Sequence, residues 1–405
     1  MTDTAVPTYS PAERDRRWNL GRTFMNREGL DALIVFGEHE DSGEAPFTFD
    51  TWFTNGRPGS TVVFPRTDKP IELVPFSLFV IDHIGSSRRG DATWITPKTI
   101  RVGRDSGVIA DALNEFGLAK GTIGVVGLEP YIPWHPEGIV PFRLWNTTID
   151  EGIAVVHHSA SIGDAMAQAM VKAARPRVSE SEVYTAGDAG MAAAYARRTV
   201  VPWMHFYASP EAAVSGPPQW AYRPQVHRVL QNGDVILTEV FCNFGMRAMQ
   251  HQLTIAIGEV HKDVERAAAI ARACYKAGRR ALRPKGRFGD VCTQMLKPVE
   301  EAGGWVRGPQ IHWLNPLAAI CGFPPGLSQL DGAERYPHVE SVPTVLGEME
   351  LEPGMTFAFE PSYGFGRHLV TVGVTVIVYG NGPIELNPYT AQLQRVSSLP
   401  GQTTE

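Results

Sequence analysis

Two apolar segments in the C-terminal half of the chain each carry a single glutamate in a predicted strand. Residues 233–239 (GDVILTE) end at Glu239, and residues 355–361 (MTFAFEP) contain Glu360. Both are short apolar runs beside Gly or Pro turn signals, a pattern that predicts buried β-strands. Burial disfavours a charged carboxylate, so we expect Glu360 to have a raised pKa unless a cation pairs with it. The pattern predicts a proton-transferring or cation-binding carboxylate at Glu360, with a structural ion pair as the alternative.

The composition argues against several classes of partner. The chain has 405 residues, of which 43% are hydrophobic and 20% charged, as in a globular protein long enough for two domains. Its net charge of −6 gives no electrostatic support for binding nucleic acid or an anionic membrane. The four cysteines are scattered, which favours reduced thiols, and the first residues lack the apolar core of a signal peptide. We therefore expect a cytoplasmic protein.

The order of the predicted elements indicates two domains. In residues 1–150, strands are predicted at 33–36, 60–64, 71–74 and 122–126, and helices at 11–29 and 104–116. In residues 155–405, helices are predicted at 161–175, 180–197, 261–281 and from 290, and strands at 234–241, 251–258 and within 355–387. The first set alternates and the second is mixed, with hairpins. The patterns predict an α/β N-terminal domain and an α+β C-terminal domain.

Several landmarks of the C-terminal half occur in the order and spacing of one known family. They are the Gly233-Asp234 turn, the hairpin end Ile257-Gly258, the helix end at 282–286, the turn at 352–354, the Phe359-Glu360-Pro361 motif and the segment 381–386. On these residues the chain resembles the creatinase / methionine aminopeptidase (M24) family, and within it the creatinase- or Xaa-Pro-peptidase-like members. The resemblance implies a pita-bread catalytic-type domain, an N-terminal domain like that of creatinase and prolidases, and a homodimer.

The same resemblance assigns the positions that hold two metal ions in metal-dependent members. They fall here on Glu239, Gln250, His312, Glu360 and Gly373. A neutral amide at one position and no side chain at another are poor donors for a dinuclear site, which needs hard, negatively charged oxygens. The prediction is a degenerate site without the dinuclear metal or other cofactor. The alternative is one divalent metal held by Glu239, His312 and Glu360.

Creatinase works without a metal, and its active-site positions fall here on Tyr222, Gln252, His312 and Glu360. The resemblance also aligns Arg57, in the sequence Asn-Gly-Arg, with an arginine that reaches the substrate carboxylate across the dimer interface. Tyr222 replaces a histidine, and a phenol is a poor base at neutral pH. It is interpreted either as a hydrogen-bond donor to an oxyanion or as an aromatic wall of the pocket.

These residues lead to one functional hypothesis and two alternatives. We expect a hydrolase of a C–N bond in a small carboxylate-bearing molecule. Its predicted catalytic residues are Glu360, His312, Tyr222 and Glu239, and its predicted substrate-binding residues are Arg57, Gln250, Gln252 and His205. His205 is the histidine best placed to take over a base role. The alternatives are a mononuclear metal lyase or peptidase of the same fold and a non-catalytic binding protein.

Overall fold

The structure is a computed structural model that describes residues 9–37, 49–55, 59–74, 94–127, 150–194, 205–211, 227–245, 247–314, 317–322 and 343–397. The chain divides into two compact units, Met1–Val155 and Val156–Glu405. Within the described ranges, no helix is both long and apolar enough to cross a membrane.

The N-terminal unit is built on a mixed sheet, which confirms the α/β prediction. Its strands are β1 (Ala32–Phe36), β2 (Thr61–Pro65), β3 (Ile71–Val74), β4 (Ile100–Val102) and β5 (Ile123–Val126). They lie in the order β4-β3-β2-β1-β5, with β1–β5 and β3–β4 parallel. The helices of this unit are α1 (Pro11–Glu28), α2 (Phe49–Thr54) and α3 (Ser106–Glu115).

Helix α1 begins and ends at residues that the sequence marks as caps. The Ser10 hydroxyl accepts a hydrogen bond from the backbone N–H of Glu13, and Gly29 ends the helix with a φ of 69°. A left-handed residue at this position suits glycine, which has no Cβ to clash. On the buried side, Glu13 forms ion pairs with Arg16 and Arg17.

Two helices follow, α4 (Asp150–Ala173) and α5 (Glu180–Ala193), and the start of the first differs from the prediction. Helix α4 was expected to begin near residue 161. It starts earlier because Val155, Val156 and Ala160 are buried on the same helix, so packing extends it beyond the alanine-rich part of the sequence.

The described residues of the C-terminal unit form three sheets and two further helices. The strands are β6 (His205–Ser209), β7 (Val235–Phe244), β8 (Arg247–Ile257), β9 (Ile311–Leu314), β10 (Leu317–Ile320), β11 (Thr356–Phe359), β12 (Ser362–Phe365), β13 (His368–Thr371), β14 (Thr375–Ile377), β15 (Ile384–Glu385) and β16 (Gln394–Val396). One sheet has the order β16-β8-β7-β6, another β10-β9-β11-β14-β15, and β12 pairs with β13. The helices are α6 (Lys262–Ala281) and α7 (Phe288–Ala302).

Strand β8 joins the two larger sheets, and this junction positions the site. The backbone N–H of Gln252 donates to the Gly373 carbonyl at 3.0 Å, and that of Gln250 donates to the Thr375 hydroxyl at 2.9 Å. Both contacts connect β8 to the segment around β14. The side chains of Gln250 and Gln252 are thereby held against the sheet that contains β9 and β11.

Candidate active site

Strands β7 and β8 place three predicted residues on one face of an antiparallel hairpin. Glu239 lies directly opposite Gln252, and Phe241 lies opposite Gln250. Residues that face each other in an antiparallel ladder project to the same side of the sheet, and so do residues two apart on a strand. Glu239, Gln250 and Gln252 therefore share a face, and all three are buried.

Glu360 and His312 meet across the neighbouring sheet. In the β9–β11 ladder His312 pairs with Ala358, and the backbone N–H of Glu360 donates to the Gln310 carbonyl at 2.9 Å. These backbone contacts bring Glu360 Oε1 to 2.5 Å from His312 Nε2. Their side chains are only 6% and 5% exposed, so water screens this contact little.

Oxygen atoms lie close to both ring nitrogens of His312. Nδ1 donates to the Trp313 carbonyl at 3.0 Å, and Nε2 faces Gln250 Oε1 at 3.1 Å as well as Glu360. Burial alone would lower the pKa of His312, but the charge and hydrogen bond of Glu360, the Trp313 carbonyl and the charge of Glu239 together raise it. The contact with Glu360 therefore favours the protonated form of His312 despite its burial.

Gln252 orients the carboxylate of this pair. Its Nε2 donates to Glu360 Oε2 at 3.1 Å, and its Oε1 accepts from the Thr371 hydroxyl at 3.0 Å. The carboxylate of Glu360 fixes which end of the amide faces it, because an ionised carboxylate only accepts hydrogen bonds and therefore needs the NH2 group of Gln252. Glu360 is thus held from both sides, by His312 and by Gln252.

Arg307 also lies in the site, although the sequence did not predict it. Its guanidinium forms an ion pair with Glu239 through Nη2 and Oε1. Arg307 lies in the loop before β9, five residues before His312. An arginine in a loop is ordinarily exposed. The sequence signal that could have indicated its burial is its position between Val306 and the Gly308-Pro309 turn.

Gly373 lies where the family pattern expects a glutamate, and its backbone leaves no space for one. A Cβ built on Gly373 would lie 1.8 Å from the Phe359 carbonyl oxygen. The Gly373 N–H donates to the Thr390 carbonyl at 3.0 Å, and its own carbonyl accepts from the Thr390 hydroxyl at 2.7 Å. The close approach of β11 therefore depends on glycine here.

The remaining predicted residues are placed only in part. Arg57 and Tyr222 lie outside the described residues. His205 is the ladder partner of Glu239 on β6, which puts its backbone beside the site. His251 lies on the opposite face of β8 from Gln250 and Gln252, as strand alternation predicts, and its Nε2 donates to the Ala160 carbonyl at 3.3 Å.

Comparison with known proteins decides the family. The model of metallopeptidase family M24 matches residues 154–380, which is more than half of the chain and includes Glu239, Gln250, Gln252, His312 and Glu360. The chain belongs to metallopeptidase family M24. A comparison with curated protein sequences gave no significant match.

Solved structures share the fold of this M24 chain over nearly its whole length. Dipeptidase PepE from Mycobacterium ulcerans is 18% identical with a TM-score of 0.68, covering 96% of this chain and 99% of that one. The X-Pro aminopeptidase from Thermotoga maritima is 14% identical with a TM-score of 0.67, covering 94% and 99%. The Xaa-Pro dipeptidase from Bacillus anthracis is 14% identical with a TM-score of 0.66, covering 95% and 100%. At these identities the likeness establishes the fold, the pita-bread architecture with its N-terminal α/β unit.

The M24 family implies a metal centre, and the donors present in this chain do not fit two metal ions. Gln250 offers a neutral amide, Gly373 offers no side chain, and Glu239 is already paired with a guanidinium. Within the described part of the chain, no group of three or more His, Cys, Asp or Glu side chains is arranged to hold a metal ion. A single ion on Glu239, His312 and Glu360 would require His312 Nε2 to be deprotonated and Glu239 to leave its ion pair with Arg307.

Proposed function

We propose that this M24 chain hydrolyses a C–N bond in a small carboxylate-bearing molecule and activates water without a metal. Hydrolysis of a C–N bond is the chemistry of its family. The observation that supports the metal-free form is the buried contact of 2.5 Å between Glu360 Oε1 and His312 Nε2. A general acid and a general base in contact can move protons in both halves of a hydrolysis.

In this proposal the two residues have separate tasks. Glu360 accepts a proton from the attacking water, since His312 and Gln252 hold its carboxylate in a fixed orientation. His312 donates a proton to the leaving nitrogen, because the contact with Glu360 raises its pKa and favours the protonated ring. Gln250 and the Trp313 carbonyl hold the imidazolium in place.

The other predicted residues complete the proposal on the strength of the family resemblance. Tyr222 would donate a hydrogen bond to the oxyanion, and Arg57 would bind the substrate carboxylate from the partner subunit of a homodimer. His205, beside Glu239, would contact the substrate. A reducing, cytoplasmic location suits the four free thiols.

The test is a screen of hydrolysis with matched variants. N-acyl amino acids, amidino acids and dipeptides are offered to the purified chain, and release of free amine is measured before and after dialysis against a chelator. We expect a substrate in this set, no loss of activity on chelation, and a loss of about 10²–10⁴-fold in E360Q and H312Q. E265Q, a Glu-to-Gln change in an exposed ion pair with Arg395, is the matched control and should keep full activity.

Each alternative function has its own outcome in this screen. Activity that disappears with the chelator and returns with one divalent ion would establish the mononuclear metal enzyme. A chain that turns over nothing, and whose E360Q variant binds the same compounds as the native chain in calorimetry, would be a binding protein. Either result overturns the proposed function.

A further inference from the structure

The Glu239–Arg307 ion pair joins a buried carboxylate to a partly exposed guanidinium, and the acid–base mechanism above does not use it. The side chain of Glu239 is 6% exposed and that of Arg307 is 18% exposed. Glu239 occupies the position at which the family pattern begins its metal-binding set. A guanidinium therefore contacts the carboxylate that would otherwise face a metal ion.

The backbone of Arg307 is fixed relative to the catalytic carboxylate. Its N–H donates to the Ser362 hydroxyl at 3.0 Å, and the N–H of Gly308 donates to the same oxygen at 3.3 Å. Ser362 follows Glu360 by two residues on the same segment. The loop that carries Arg307 is thus attached to the strand segment that carries Glu360, so the guanidinium and the carboxylate are positioned by one piece of backbone.

The ion pair places a single positive charge beside the carboxylate of Glu239. The Arg307 guanidinium contributes this charge and is held at the carboxylate by the ion pair itself. A divalent ion at the same place would add two positive charges next to the guanidinium, and the Gln250 and Gln252 side chains on the same face are neutral amides. Uncompensated charge in a buried site is strongly unfavourable.

The guanidinium also has donors left for a ligand. Among the described residues, the hydrogen bond to Glu239 uses only Nη2, and the partial exposure of the side chain lets a small molecule reach the rest. Arginine remains charged at any working pH and presents its N–H groups in a rigid plane. Such preorganised donors stabilise negative charge that develops on a reacting oxygen.

We propose that Arg307 replaces the first metal ion of the M24 site: it neutralises Glu239, keeps divalent ions from binding there, and donates to the carbonyl oxygen of the scissile bond. The last part rests on the proposed function, because a hydrolase without a metal needs another source of positive charge at that oxygen. The first two parts concern the free protein and hold whatever the substrate is.

The decisive experiment measures metal uptake with Co²⁺ as the probe. Equilibrium dialysis and the visible spectrum of bound Co²⁺ are compared for the native chain, R307M, R307K and the double variant R307M/E239Q. Methionine keeps much of the length of arginine but removes its charge, whereas lysine keeps the charge. We expect R307M to bind Co²⁺ at least about tenfold more tightly than the native chain, the double variant to lose this gain, and R307K to resemble the native chain.

Two results would overturn the proposal. One is equal Co²⁺ uptake by R307M and the native chain, with circular dichroism showing R307M folded. The other result needs no Arg307 variant. If the native chain binds one equivalent of Co²⁺ and the E239Q variant does not, a metal ion binds at Glu239 in place of the guanidinium. This second measurement decides the case if R307M does not fold.

The catalytic part is tested separately with the substrate found in the screen. We expect R307A to lower kcat with little change in KM, and added guanidinium ion to restore part of the rate, while methylammonium restores less. Unchanged kcat in R307A together with an inactive E360Q would refute the role of Arg307 and leave the proposed function standing. Full activity in both variants would refute both.

Discussion

The two faces of strand β8 contain buried polar residues with opposite electrostatic character. On the front, Gln250 and Gln252 contact His312 and Glu360, and the pKa of His312 is raised. On the back, His251 is equally buried, and burial lowers its pKa to about 4 although the Ala160 carbonyl opposes the change. The two histidines differ in their partners rather than in their burial. A carboxylate in contact keeps a buried imidazole charged, whereas a carbonyl does not.

The largest effect is expected where the front of β8 meets β11, at Gly373. A Cβ in G373A would lie 1.8 Å from the Phe359 carbonyl oxygen, and backbone atoms cannot move aside as a side chain can. We expect the free energy of unfolding to fall by about 3 kcal/mol, measured by urea denaturation.

Gly366 is the matched control, because its φ is +50° but no atom lies within 4 Å of its Cβ position. G366A should cost about 1 kcal/mol, the strain of a left-handed residue alone. Equal losses of unfolding free energy in G373A and G366A would mean that the contact with the Phe359 carbonyl oxygen does not destabilise G373A.

On the back of β8, His251 should make the protein less stable in acid. Because its folded pKa is about 4, below the ordinary histidine pKa of 6.5, the unfolded chain binds this proton first as the pH falls. Stability is therefore lost from pH 6.5 downward, by about 3 kcal/mol once the pH reaches 4. The measurement is the difference in unfolding free energy between pH 7 and pH 4, in the native chain and in H251Q. If the variant loses as much stability as the native chain, His251 does not titrate as described.

On the front, His312 should have the opposite sign, because burial lowers its pKa but the charge of Glu360 and the other contacts of the ring more than offset this. Its folded pKa is raised, so its stabilisation is fully present below its ordinary pKa and is lost as the pH rises through the raised value. Activity that needs the protonated ring should fall over the same pH range. Unfolding curves from pH 6 to pH 9 check this, and H312Q should flatten the dependence. A native chain that gains stability over that range would show that the pair is not charged.

The smallest effect is expected far from β8, at the exposed pair Glu265–Arg395, whose side chains are 43% and 53% exposed. E265Q should cost less than about 1 kcal/mol, and less still in high salt, because water and ions screen exposed charges. If E265Q lost as much unfolding free energy as G373A, solvent exposure would not explain the difference between the two positions.

Much of the architecture could be predicted from local sequence. The strand at Ala32–Phe36 and the helix at Pro11–Glu28 follow from short apolar runs and from the Ser10 and Gly29 caps. The start of α4 at Asp150 could not be predicted, because burial of its first turns, and not an alanine-rich pattern, stabilises it. Local patterns indicate the type of an element better than where packing extends it.

The candidate site divides in the same way. The spacing of the family landmarks predicted Glu239, Gln250, His312 and Glu360 as site residues. The structure places these four in one buried cluster. Their protonation, and the pairing of Glu239 with Arg307, depend on contacts between segments far apart in sequence.

The sequence by itself determined the family, the succession of helices and strands, and the loss of an acidic side chain at Gln250 and Gly373. Only the tertiary structure decided that Arg307 contacts Glu239, that the pKa of His312 is raised while that of His251 is lowered, and that Gly373 cannot carry a side chain. The physical reason is that strand patterns depend on neighbours along the chain. Charge states and close approaches depend instead on which groups share a buried space.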